Sequence, residues 1–277
     1  MELFTRVLLP ISSEFPPRNI FGRAKKFSDI FGSKIFVLYI TEEKTLRKVE
    51  EVAEPFLTEE QLKEMENNII DKNKEIARII FEKIKDNIPV FRREITYGEF
   101  SDEIIKFSEE NEITCILTEF EKECFLNYSL FEKIKIPVWV EAKEGKKIVI
   151  GVCSNLAPNL RVPDVTLKLA KAFGYDSKLI YIIDVEEKAE VNEKGFKEEK
   201  SIEELKKSAE EFAEKHKKNF MVEITVGGIE EKIAEFAEKL NPDVIVVGRE
   251  MKKRKLFCKE IKMEMVEKIK NSLLLLN

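Results

Sequence analysis

Apolar residues come in two kinds of stretch, short solid runs and longer spaced stripes, and their alternation is written twice along the chain. Residues 7–11 and 148–152 are nearly continuous apolar runs, the pattern of a strand buried on both faces. The spacing predicts a helix after each, closing at Gly32 and Gly174, because glycine suits the left-handed residue that ends a helix. A second run follows in each half, at 35–40 and 179–183. Longer helices come next, each opened by a capping-box pattern, Thr58-x-x-Gln61 and Ser201-x-x-Glu204. Leu62, Met65, Ile69, Ile76, Ile80 and Ile84 then recur at helical spacing as one apolar stripe. Third strands ending at Gly98 and Gly227 lead to short helices at 102–110 and 230–239. Fourth strands at 114–118 and 244–247, a further helix, and fifth strands at 137–140 and 273–276 complete each half. Strands alternating with helices predict a parallel sheet covered on both faces.

The duplication is visible residue by residue. Glu94-Ile-Thr-Tyr-Gly98 returns as Glu223-Ile-Thr-Val-Gly227, 129 residues later. Phe31-Gly32 with Leu38-Tyr-Ile40 returns as Phe173-Gly174 with Ile180-Tyr-Ile182, 142 residues later. Glu132-Lys-Ile-Lys135 returns as Glu267-Lys-Ile-Lys270, 135 residues later. Three matches in one order, with offsets that drift as loop insertions would make them, are not chance. The period is too long for a solenoid and implies two homologous domains. They are expected at 1–142 and 146–277, joined by the polar stretch 141–146.

Composition narrows the class. In 277 residues, 43% are hydrophobic and 36% charged, enough to build a core and too ordered a mixture for a disordered chain. The net charge of -5 gives no global attraction for nucleic acid or an anionic membrane, and neither is expected as a partner. The longest apolar runs are far too short to span a bilayer, which needs about 20 residues. Glu2 and a short apolar stretch do not make a secretory signal. Four cysteines, Cys115, Cys124, Cys153 and Cys258, lack tight pairing and suit a reducing, cytoplasmic location. A single glutamine, Gln61, and a single histidine, His216, against many Lys and Glu fit a protein of a hot environment.

In Gly227-Gly-Ile-Glu-Glu-Lys-Ile233 and Asn241-Pro-Asp-Val-Ile-Val-Val-Gly248-Arg249 the second half resembles the universal stress protein family. Gly98-Glu-Phe-Ser-Asp-Glu-Ile104 keeps the first of these spacings in the first half. The resemblance covers nearly the whole chain. It implies the family's tandem form: two doubly wound, five-stranded α/β domains, each with a parallel sheet of order 3-2-1-4-5. It also implies a role in stress response, frequent dimerisation through fifth strands and, in many members, binding of ATP or AMP. For this chain the expected assembly is an intramolecular pseudo-dimer, with a homodimer as the further form.

The nucleotide motif of the resembled family is degenerate here. Its binders carry glycine, two residues, glycine, nine residues, then glycine with Ser or Thr, so that backbone N–H groups close around phosphate without a Cβ in the way. The second half has Gly248 alone, with Met251 at the second glycine position. The first half has no glycine between Gly98 and Gly145, and Glu119 stands where the loop would open. The acid usual at the end of the first strand is replaced by Ser12 or Ser13 and by Cys153 or Ser154. Candidate nucleotide-contact residues are therefore Cys153, Ser154, Gly227, Gly228, Gly248, Arg249 and Lys252, all in the second half.

The run 248–255 adds a basic loop in which Arg249, Lys252, Lys253, Arg254 and Lys255 could grip phosphate by charge. Its alternative is a solvated loop. Cys153 admits two readings, a redox-sensing thiol or a small buried hydrophobe. Cys115 reads as core, and Cys124 and Cys258 occupy loosely equivalent segments. Trp139 faces away from Val138 and Val140, toward either an interface or the core. His216, among lysines, reads as part of a solvated helix face. No metal site, nucleophile elbow or phosphate-cradling Gly-x-x-x-x-Gly-Lys loop is present, so an enzyme is not expected. The resulting expectation is a regulatory or protein-binding stress protein with an unidentified protein partner and no cofactor. Nucleotide binding is lost from the first half, and the alternative is ATP or AMP held by the basic loop of the second.

Overall fold

The computed structural model describes residues 1–12, 20–43, 47, 51–85, 87–119, 133–142, 144–156, 160–185, 188–192, 196–248 and 269–276. The chain divides into two compact units, Met1–Ile136 and Pro137–Asn277.

In the first unit, β1 (Arg6–Ser12), β2 (Lys34–Glu42), β3 (Val90–Gly98) and β4 (Cys115–Glu119) form parallel pairs in the order β3-β2-β1-β4. Residues 7–12 of β1 and 35–42 of β2 are buried throughout; the solid apolar runs at 7–11 and 35–40 predict this, and Ser12, Thr41 and Glu42 extend it. Helix α1 (Ile20–Phe31) is fixed by aromatic packing: Phe27 lies 4.5 Å and Phe31 5.0 Å from the ring of Phe4. Helix α2 (Glu59–Lys85) opens with the expected reciprocal cap. Thr58 donates its N–H to Gln61 Oε1 at 2.9 Å, and Gln61 N–H returns to Thr58 Oγ1 at 3.3 Å. Of the expected stripe only Ile84 is buried, with Ala77 and Phe81 beside it; Leu62, Met65, Ile69, Ile76 and Ile80 are half-buried. Helix α3 (Phe100–Glu110) leads into β4.

The second unit opens with β5 (Val138–Glu141) and then repeats the plan with β6 (Lys146–Ser154), α4 (Arg161–Phe173) and β7 (Asp176–Ile183). Gly174 closes α4 at φ +66°, a conformation in which a Cβ would be strained. A hairpin of β8 (Ala189–Val191) and β9 (Lys197–Glu199) follows, which the sequence pattern did not predict. Next come α5 (Ile202–His216), β10 (Val222–Val226), α6 (Ile229–Leu240), β11 (Pro242–Gly248) and β12 (Ser272–Leu276). The strands β10-β7-β6-β11-β12 are all parallel, so the second unit shows the doubly wound order 3-2-1-4-5.

The strand expected to end the first half falls in the second unit. There β5 pairs antiparallel with β12, placing Trp139 opposite Leu274. Trp139 is fully buried, its ring 6.4 Å from that of Phe173. Its indole N–H donates to Glu141 Oε2 at 2.6 Å, and Ser272 Oγ lies 3.4 Å from the same oxygen. Between the two readings for Trp139, the residue is core of the second unit. Among the described residues no helix is long and apolar enough to cross a membrane. The segments expected to hold the last helix of each half lie outside the described residues.

Candidate functional site

In open α/β sheets, ligands settle at the carboxyl ends of strands, where backbone groups and loops converge. The structure places every described candidate there. Cys153 and Ser154 end β6, Gly227 follows β10, Gly228 is the N-cap of α6, and Gly248 ends β11. Arg249 and Lys252 lie outside the described residues, as do Met251, Lys253, Arg254, Lys255, Ser13, Cys124 and Cys258.

The candidates do not converge on one cavity. Gly227 is drawn to β7, its N–H donating to Ile183 O at 3.1 Å, and it adopts φ +149°. That positive φ strains any residue with a Cβ, which accounts for glycine without a ligand. Asp184, fully buried just beyond β7, accepts the N–H of Ile229, the first residue of α6, at 3.3 Å. Asn155 holds that corner. It donates to Asp184 O at 2.9 Å and Ala189 O at 2.7 Å, and it accepts Asp184 N–H at 2.7 Å. The side-chain amide thus serves three backbone groups beside a carboxylate at a helix N-terminus, where the helix dipole favours negative charge.

Strand register makes Glu119 and Gly248 equivalent. Val7 pairs with Cys115 as Val149 pairs with Val244, and four residues onward β4 reaches Glu119 while β11 reaches Gly248. Glu119 is 6% exposed, and its Oε1 accepts the N–H of Ile20, the first residue of α1, at 2.7 Å. A built-in carboxylate therefore sits on the helix N-terminus of the first unit, where an anionic ligand would be drawn. In the second unit the strand ends in glycine, and the N-cap of α4, Leu160, supplies no side-chain hydrogen bond.

Cys153 and Ser154 line a cavity of about 410 Å³ between α4, α5 and the face of β6 and β7. Gly227, Gly228 and Gly248 are not among its lining residues. Its aromatic wall is continuous. Tyr181 lies 4.8 Å from Phe212, and Phe212 lies 4.6 Å from His216, centroid to centroid. Burial pushes the Cys153 thiol up to about 12, so it stays protonated and is a poor nucleophile, which removes the ground for a redox-sensing role. Burial, then the nearby Glu190 and Cys153, pushes the Tyr181 phenol upward. Burial, then Lys215, holds the His216 imidazole below its ordinary value. His216 is thus a half-buried wall residue rather than part of a fully solvated face. Phe212 and His216 stand at i and i+4, the spacing that places two side chains together on one helix face, and that was the available signal. Among the described residues no group of three His, Cys, Asp or Glu side chains is arranged to hold a metal ion.

Two parallel α/β units with the order 3-2-1-4, extended to 5 in the second, narrow the comparison with known proteins. Residues 145–256 match the universal stress protein family. The match lies in the second half, which carries Gly227, Gly228 and Gly248. Solved structures extend the likeness of fold to the whole chain. A candidate universal stress protein of Pseudomonas aeruginosa UCBPP-PA14 superposes with a TM-score of 0.64 at 12% identity, over 99% of this chain and 94% of its own. A universal stress protein of Archaeoglobus fulgidus does so with a TM-score of 0.61 at 16% identity, over 99% and 98%. At these identities the likeness is one of fold: a doubly wound α/β architecture with a mostly parallel sheet. No curated protein matches the sequence.

Proposed function

We propose that the chain is a tandem universal-stress-type regulatory protein acting through protein partners, with nucleotide binding lost from its first half. The carboxylate of Glu119, 2.7 Å from the N–H of Ile20, carries this reading. A nucleotide phosphate brought to that helix end would meet a buried negative charge already bonded to the group it needs. The absence of glycine between Gly98 and Gly145 removes the flexible backbone cradle as well. The pairing of β5 with β12, the last strands of the two repeats, supports the tandem reading.

A second reading, ATP or AMP held by the second half, is favoured by one observation: Gly248 replaces the blocking carboxylate at the equivalent strand end. Isothermal titration of the full chain with ATP and AMP separates the two. The proposal expects no binding at micromolar concentrations, and any weaker binding to be lost in Gly248→Asp. Micromolar binding unaffected by Gly248→Asp but lost on changes around Glu119 would overturn it.

A further inference from the structure

The two units differ at a second polar contact. Tyr39 and Tyr181 occupy matching positions, each in the second strand of its unit and paired with the first, Tyr39 with Ile11 and Tyr181 with Cys153. Asn73 and His216 match in turn, each standing the same distance after its capping residue, Thr58 or Ser201. In the first unit Tyr39 is fully buried and its hydroxyl donates to Asn73 Oδ1 at 3.0 Å. In the second unit histidine replaces the asparagine, and its ring turns to Phe212 instead. The Tyr181 side chain is 6% exposed and lines the 410 Å³ cavity, and its hydroxyl makes no hydrogen bond among the described residues. Set in the cavity wall rather than sealed in the core, this hydroxyl is presented to whatever occupies the cavity.

From this difference we infer that the cavity between α4 and α5 is a binding site for a small, uncharged, planar aromatic molecule whose hydrogen-bond acceptor takes the Tyr181 hydroxyl. The volume falls within the range of small-molecule pockets. Phe212, His216 and Tyr181 supply ring faces and edges against which a flat ligand packs by offset stacking. Of the charged residues that line it, Asp164 pairs with Lys168 at 2.7 Å, Glu190 lies 3.8 Å from Lys200 and accepts the Ser208 hydroxyl at 3.2 Å, and Lys215 is exposed to solvent. Inside, thiol, phenol and imidazole are all neutral at pH 7, so an uncharged ligand is preferred over an ionic one. The site is separate from the strand-end glycines and stands whether or not the second half takes a nucleotide.

His216 is the chain's single histidine, so its ring carbon and proton give one NMR signal in the cavity wall. Full-length protein with labelled histidine is titrated at pH 7.5 with quinoline, a neutral two-ring probe with one acceptor nitrogen. A saturable shift of the His216 signal is expected. Tyr181→Phe should weaken the apparent affinity about tenfold, the worth of one hydrogen bond. It should leave the melting temperature unchanged, whereas Tyr39→Phe, which breaks a made bond, lowers it. Ser208→Phe, which fills the cavity from α5, should abolish the shift. No saturable shift in the wild type, a shift that survives Ser208→Phe, or equal affinity in wild type and Tyr181→Phe would each overturn the inference. So would a shift produced by ATP and not by quinoline.

Discussion

Replacing Glu119 with alanine tests the feature on which the proposed loss of nucleotide binding rests. The substitution removes a carboxylate that is 6% exposed and bonded at 2.7 Å to the N–H of Ile20. The N–H is left at a helix N-terminus without its acceptor, a loss of about 1–3 kcal/mol for a buried donor. Loss of the favourable charge at the positive end of α1 adds about 0.3–1 kcal/mol. For a unit of this size each kcal/mol moves the midpoint by roughly 3–4 °C, so calorimetry should show the transition of the first unit lowered by about 4–16 °C. Glu119→Gln keeps an acceptor oxygen and should lose less than half as much. Inorganic phosphate should then restore more stability to Glu119→Ala than to the wild type, because an anion can occupy the vacated helix end. A melting temperature within 1 °C of wild type, or an equal response of both proteins to phosphate, would refute the assignment.

Three further outcomes are expected. Cys153, with its thiol raised to about 12 and 3% exposed, should react with a disulfide reagent at pH 8 about a thousandfold more slowly than a free thiol; fast labelling at this position contradicts its burial. The folded His216 imidazole holds its proton less tightly than the ordinary value of 6.5. Its contribution to stability is therefore complete above pH 6.5 and lost as pH falls through the folded value; His216→Gln should flatten the stability profile in that interval, and an NMR titration midpoint at or above 6.5 contradicts this. Trp139→Phe breaks the 2.6 Å bond to Glu141 and should cost about 1–3 kcal/mol, and the single tryptophan should emit in the blue and resist acrylamide until the second unit unfolds; a quenchable tryptophan contradicts its packing.

The fold was legible because its signals are local and repeated. Solid apolar runs marked β1, β2, β6, β7 and β11, capping boxes marked α2 and α5, and Gly32 and Gly174 marked helix ends, at φ +64° and +66°. The hairpin of β8 and β9 escaped because three-residue strands of mixed polarity, Ala189–Val191 and Lys197–Glu199, carry no apolar run. The partnership of β5 with β12 depends on which edges meet, a property of the folded chain that no local pattern encodes. At the site, sequence spacing marked strand ends correctly but could not tell which of them open into the same space. Cys153 and Ser154 line a cavity, and the glycines do not. Tyr181 was passed over as one apolar-run residue among several. Positions 73 and 216 align by spacing from their caps, but only the fold shows that Tyr39 bonds Asn73 while the His216 ring packs on Phe212 and leaves the Tyr181 hydroxyl facing the cavity.

The central claim is that the first half of this chain carries its own anion in place of a nucleotide. Native mass spectrometry of the full chain in ATP and AMP, with wild type and Gly248→Asp side by side, tests it most directly. The account predicts no retained nucleotide at micromolar ligand and at most one per chain at higher concentration, lost in Gly248→Asp. Two nucleotides per chain, or one that persists in Gly248→Asp, would contradict it.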